Sequence, residues 1–78
     1  MPKKVIVYST PACHYCILAK QFLKQHNIPF KEVDVASDDR AAQSMFEKSG
    51  QMSVPVIEVD DEVIVGFNKQ ALHKALEL

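Results

Sequence analysis

The chain has 78 residues, 47% hydrophobic and 24% charged, with a formal net charge of −1. That length carries a single domain, 1–78, with a thin core, and no apolar run approaches the roughly 18 residues of a membrane span. Near-neutral charge argues against general nucleic-acid binding, and the apolar content argues against disorder.

Met1-Pro2-Lys3-Lys4 precedes only four apolar residues, which is not the hydrophobic stretch of a secretory leader. The expected setting is cytoplasmic, where structural disulfides are rare. Val5-Ile6-Val7-Tyr8 is a continuous apolar run, the pattern of a strand covered on both faces. Ser9-Thr10-Pro11-Ala12 breaks it. Tyr15, Leu18, Ala19, Phe22 and Leu23 then recur at helical spacing and predict an inward stripe. Asn27 suits the left-handed residue after that helix, with Pro29 beyond.

Phe30 to Val35 has strand composition, with Val33 and Val35 on one face. Ser37 or Asp38 caps a second helix with Ala42, Met45 and Phe46 inward, ended by Gly50. Val54–Val59 and Glu62–Val65 flank Asp60-Asp61 and predict a hairpin. Asn68 caps a last helix with Leu72, Ala75 and Leu76 inward. The order is β-α-β-α-β-β-α, an α/β fold in which a right-handed parallel unit is joined by an antiparallel hairpin.

Charge is unevenly spread. Residues 1–31 hold Lys3, Lys4, Lys20, Lys24 and Lys31 and no acid (+5), whereas residues 32–78 hold all ten acids and four bases (−6). Either this is ordinary solvated surface, or it places a positive field around the chemistry of the first half.

That chemistry is Cys13-His14-Tyr15-Cys16, placed where a strand ends and a helix begins. The unpaired N–H groups of a helix start favour a thiolate. Cys13 at the cap would be exposed, and Cys16, one turn in, buried. The i, i+3 spacing lets the sulfurs pair without unwinding the helix. Cys13 would then attack a substrate disulfide, and Cys16 would resolve the mixed disulfide. His14 and Thr10 flank the nucleophile and tune it.

Other readings of these residues are blander. Structural zinc takes about four ligands, and His26 and His73 lack a partner at H-x₃₋₅-H spacing, so no metal is expected. A buried, inert pair is the remaining alternative. Pro55, opening a strand after Ser53-Val54, donates nothing to a ladder and leaves backbone groups for an extended substrate. Trans is the ordinary geometry for such a bond. Gly66 is either a simple strand end or a point of close approach.

Three segments together resemble the glutaredoxin family: Val7 to Cys16, Ser49-Gly50-Gln51-Met52-Ser53-Val54-Pro55, and Val65-Gly66-Phe67. The resemblance spans essentially the whole chain. It implies a thioredoxin fold, a four-stranded mixed sheet flanked by three helices, with Pro55 cis. It also implies disulfide reduction by Cys13 and Cys16, and Tyr15 and Val54 match the family's binding positions. Pro55, Gly66, Phe67 and Asn68 are further candidates around the substrate, Asn68 with the first-turn amides of the last helix as a place for a carboxylate. The implied partners are disulfide-containing proteins, with glutathione as reductant and no tightly bound cofactor. Thr10 stands where the family usually has lysine, and His14 where it has proline. Gln51-Met52 replaces basic residues, and Phe67-Asn68-Lys69 replaces the pair that holds the γ-glutamyl end. Gly66-Phe67 also resembles the redoxins that take electrons from thioredoxin reductase and reduce ribonucleotide reductase. A glutathione-bridged iron–sulfur carrier is a third reading. The expected state is a monomer, away from nucleic acid and membrane.

Overall fold

Both faces of the first strand are apolar, and that decides the layering. The computed structural model describes residues 4–78. The leader expectation and the charge of Lys3 rest on residues 1–3 and lie outside the described residues. The elements are β1 (Val5–Ser9), α1 (His14–Gln25), β2 (Lys31–Asp34), α2 (Asp39–Ser49), β3 (Val56–Val59), β4 (Glu62–Val65) and α3 (Lys69–Leu76). They form one sheet in the order β2-β1-β3-β4, with β1 parallel to β2 and antiparallel to β3, and β4 antiparallel to β3. The observed order of elements is the predicted one.

Val5 and Val7 point to one face, where Ala19, Phe22 and Leu23 of α1 meet Leu72 and Ala75 of α3. Ile6 and Tyr8 point to the other, where Met45 of α2 packs with Val56, Val33 and Val35. The alternation of a strand thus gives α1 and α3 one side of the sheet and α2 the other. No helix among the described residues is long and apolar enough to cross a membrane.

Each helix ends where its sequence supplies the right partner. After α1, Asn27 takes φ 56°, and the N–H groups of Asn27 and Ile28 reach the carbonyls of Lys24 (3.1 Å) and Leu23 (2.9 Å). That pairing satisfies carbonyls the helix leaves open. Asp38, not Ser37, caps α2, its Oδ1 accepting the N–H groups of Arg40 and Ala41, each at 3.1 Å. Gly50 closes α2 at φ 75°. Asn68 caps α3, accepting the Ala71 N–H at 3.1 Å. At the hairpin only Asp60 takes a positive φ, and its carboxylate accepts the Lys4 N–H at 2.8 Å.

Two inward assignments are corrected. Tyr15 is 61% exposed, and Cys16 takes its place as the first buried residue of the α1 stripe. Phe46 is 49% exposed, leaving Met45 as the buried residue of α2. The rest of each stripe lies inward as expected, with Ala19, Phe22 and Leu23 buried in α1 and Met45 in α2. The two exceptions stand at the edge of an apolar face, where helical spacing alone does not say which neighbour the core covers.

Candidate active site

Thr10 to Cys13 turns the chain from β1 into α1. The Cys13 N–H reaches the Thr10 carbonyl at 3.3 Å, which brings Cys13 to the cap of the helix with an extended backbone. Its Sγ accepts the Cys16 N–H at 3.1 Å. A sulfur in that position occupies the place of an N-cap oxygen and meets the positive end of the helix. No acid stands in the first turn of α1 to oppose it. Cys13 and Cys16 are paired as a disulfide with their Cα atoms 5.2 Å apart. Cys13 is half-buried, whereas Cys16 is fully enclosed.

His14 and Tyr15 project outward from this turn, their rings edge-on at 5.9 Å. Exposure of Tyr15 beside the dithiol suits contact with another molecule rather than the core. Ile17, 46% exposed, adds an apolar side chain one residue past Cys16.

The Val54–Pro55 bond is cis and Pro55 is buried. Its carbonyl accepts the Gly66 N–H at 2.8 Å, so that group is committed within the fold. Gly66 has φ 78° and open space where a Cβ would stand, so the backbone angle, not close approach, calls for glycine. Phe67 does not stay at the site edge alone: it packs on the core at 6.2 Å from Phe22, with Lys69 Nζ 5.9 Å above its ring. Asn68 spends its side chain on the α3 cap. Met52 is exposed in the loop before Pro55, and Gln51 Nε2 is buried there without a hydrogen-bond partner among the described residues.

Sequence reasoning missed the groove beside the turn. Ser9, Thr10, Pro11, Ile17, Lys20 and Glu32, with Asp34, line an open volume of about 290 Å³. The parallel register sets Ser9 beside Asp34 and Val7 beside Glu32. Ser9 Oγ donates to Glu32 at 3.0 Å, and Lys20 forms an ion pair with the same carboxylate. The Lys20 ammonium, opposed by partial burial and helped by Ser9, holds Glu32 below the usual carboxylate range. A positive field from the first half is therefore not what surrounds this side of the turn. Lys20 is paired, and β2 contributes two carboxylates that only strand pairing brings near.

The family profile described as glutaredoxin matches residues 5–64. A glutaredoxin-like 8.6 kDa protein in the rubredoxin operon of Clostridium pasteurianum is 45% identical over 71 residues, covering 91% of this chain and 95% of that one. The glutaredoxin-like protein NrdH of Lactococcus lactis subsp. cremoris is 33% identical, covering 90% and 96%. The solved structure of the thioredoxin-like protein BC3987 superposes with a TM-score of 0.88 at 34% identity, covering 94% of this chain and all of the other. The chain belongs to the glutaredoxin family and is a glutaredoxin-like disulfide oxidoreductase with the thioredoxin fold.

Proposed function

From membership of the glutaredoxin family we infer that this chain is an electron carrier that reduces protein disulfides or glutathione mixed disulfides, with Cys13 attacking and Cys16 resolving. The observation that carries the reading is the asymmetry of the pair. Cys13 is half-buried and its Sγ takes the Cys16 N–H at 3.1 Å, whereas Cys16 is fully enclosed. A substrate sulfur reaches the first and not the second.

In the reduced protein the Cys13 thiolate attacks one sulfur of the substrate disulfide. The substrate S–S bond breaks, a Cys13 mixed disulfide forms, and the other substrate sulfur departs as a thiolate that takes a proton. Cys16, having lost its proton, then attacks Cys13 Sγ. The second substrate thiol leaves, and the Cys13–Cys16 disulfide remains. Two electrons have passed from dithiol to substrate. The Cys16 N–H and the start of α1 favour negative charge on Cys13 as it attacks.

Tyr15, Val54, Pro55, Gly66, Phe67 and Asn68 are assigned to the substrate side, with His14 and Thr10 tuning Cys13. Support comes from Val54, whose backbone groups pair with nothing among the described residues and so are free for an extended peptide. On this reading the protein is a cytoplasmic monomer without a tightly bound cofactor, acting on neither nucleic acid nor membrane.

A second reading concerns the donor. Glutathione carries two carboxylates, yet the loop before Pro55 offers Gln51, exposed Met52 and Ser53, none of them cationic. This favours thioredoxin reductase over glutathione as electron source and ribonucleotide reductase as recipient. The same loop gives little support to a glutathione-bridged iron–sulfur carrier. The deciding experiment follows NADPH consumption with either glutathione plus glutathione reductase or thioredoxin reductase alone. Turnover with thioredoxin reductase only is the expected result; turnover with glutathione only overturns this donor, and none with either overturns the carrier assignment.

A further inference from the structure

His26 ends α1 and His73 lies in α3, 47 positions further along, yet their imidazoles meet with centroids 5.6 Å apart and planes at 78°. Phe22 lies against both, its ring 4.5 Å from His26 and 5.3 Å from His73. Because Phe22 is 6% exposed and anchored in the core, it is a fixed platform for two solvent-facing rings.

We propose that His26 and His73 form a two-imidazole binding site for a divalent transition-metal ion, zinc in particular, that clamps the end of α1 to α3. Zinc–nitrogen bonds of about 2.0–2.1 Å place the centres of two imidazoles on one ion roughly 5 to 6 Å apart, and the observed separation falls in that range. Imidazole is a ligand that zinc, copper and nickel share. Contact with Phe22 restricts both rings before any ion arrives, which reduces the ordering cost of binding. The last carbonyls of α1 put partial negative charge at the same end.

No group of three or more His, Cys, Asp or Glu side chains that would hold a metal is assembled among the described residues. Two imidazoles therefore bind with water completing the shell, as an exchangeable site rather than a structural one. Lys24 and Lys74, in the last turns of the two helices, oppose a cation and moderate the affinity. The site is separate from Cys13 and Cys16, and zinc bound there joins two helices on one face of the sheet without entering the dithiol chemistry.

The test uses untagged, full-length protein in the disulfide form, so that thiolates do not compete, titrated calorimetrically with zinc chloride near pH 7.5. One ion per chain and a raised melting midpoint are expected. His26→Gln and His73→Gln, both at exposed positions, should each weaken binding by at least about tenfold, since each removes the second tethered ligand. Imidazole nitrogen resonances of His26 and His73 should shift together. The proposal is overturned by no binding at millimolar zinc, by affinity unchanged in either variant, or by loss of binding in His14→Gln alone.

Discussion

Cys13 Sγ lies 3.1 Å from the backbone nitrogen of Cys16, so the sulfur of the half-buried cysteine is held by the amide of its enclosed partner. One hydrogen bond joins the two residues whose sulfurs exchange electrons. It also gives them unequal tasks, because only Cys13 is open to another molecule.

Substituting each cysteine in turn separates those tasks. Cys13→Ser should abolish insulin or mixed-disulfide reduction altogether. Cys16→Ser should still attack and accumulate a covalent mixed disulfide, seen as an added mass that dithiothreitol removes. Brief treatment of the reduced protein with iodoacetamide should label Cys13 first. Equal labelling, or a trapped adduct on Cys16, would reverse the assignment.

The Glu32–Lys20 pair makes a statement about acid. Lys20 lowers the Glu32 pKa in the folded state, so its contribution is complete above the unfolded value of 4.5 and disappears as pH falls through the folded one. Because Glu32 is 44% exposed, solvent screening limits the effect to roughly 0.5 kcal/mol. Urea midpoints of Glu32→Gln should lie below those of the parent at pH 7, and the gap should narrow as pH falls below 4.5. A gap of constant size across that range would mean that the ion pair is not its source.

The opposite sign holds for Lys48. Its hydrogen bond to Glu58, at 2.7 Å, and then its bond to the Tyr8 hydroxyl raise the Lys48 pKa against partial desolvation. That contribution is complete below the unfolded value of 10.5 and is lost as pH rises through the folded one. Lys48→Met leaves a largely covered Glu58 carboxylate unpaired and should cost roughly 1 kcal/mol at pH 7. Denaturation at pH 7 and at pH values rising above 10.5 should show the difference and then its decline.

Gly50 offers a test of backbone against packing. A Cβ added there would meet nothing within 4 Å, yet φ is +75°. Gly50→Ala should therefore cost about 1 kcal/mol through left-handed strain alone. Gly50→Asn should recover part of it, since asparagine accepts that region, as Asn27 does at the end of α1. If alanine and asparagine behave alike, the strain account is wrong.

Residue by residue, what was legible in the sequence was local. Asn27, Asp38, Gly50 and Asn68 marked helix ends because each acts on backbone groups a few positions away. The same holds for the place of Cys13 at a helix start, which β1, the Ser9–Ala12 break and the Tyr15-to-Leu23 spacing already imply. Tyr15 and Phe46 show the limit: helical spacing gives the stripe, and packing decides which residues at its edge are covered.

By itself the sequence determined the order of elements, the dithiol and its family, because caps, periodicity and a C-x-x-C act over short stretches of chain. The tertiary structure alone decided that Glu32 and Asp34 flank the turn before Cys13, that Lys48 reaches Glu58, and that His26 meets His73 across Phe22. Those relationships depend on strand register and helix docking, which place residues far apart in the chain within a few ångströms and leave no period in the sequence to read.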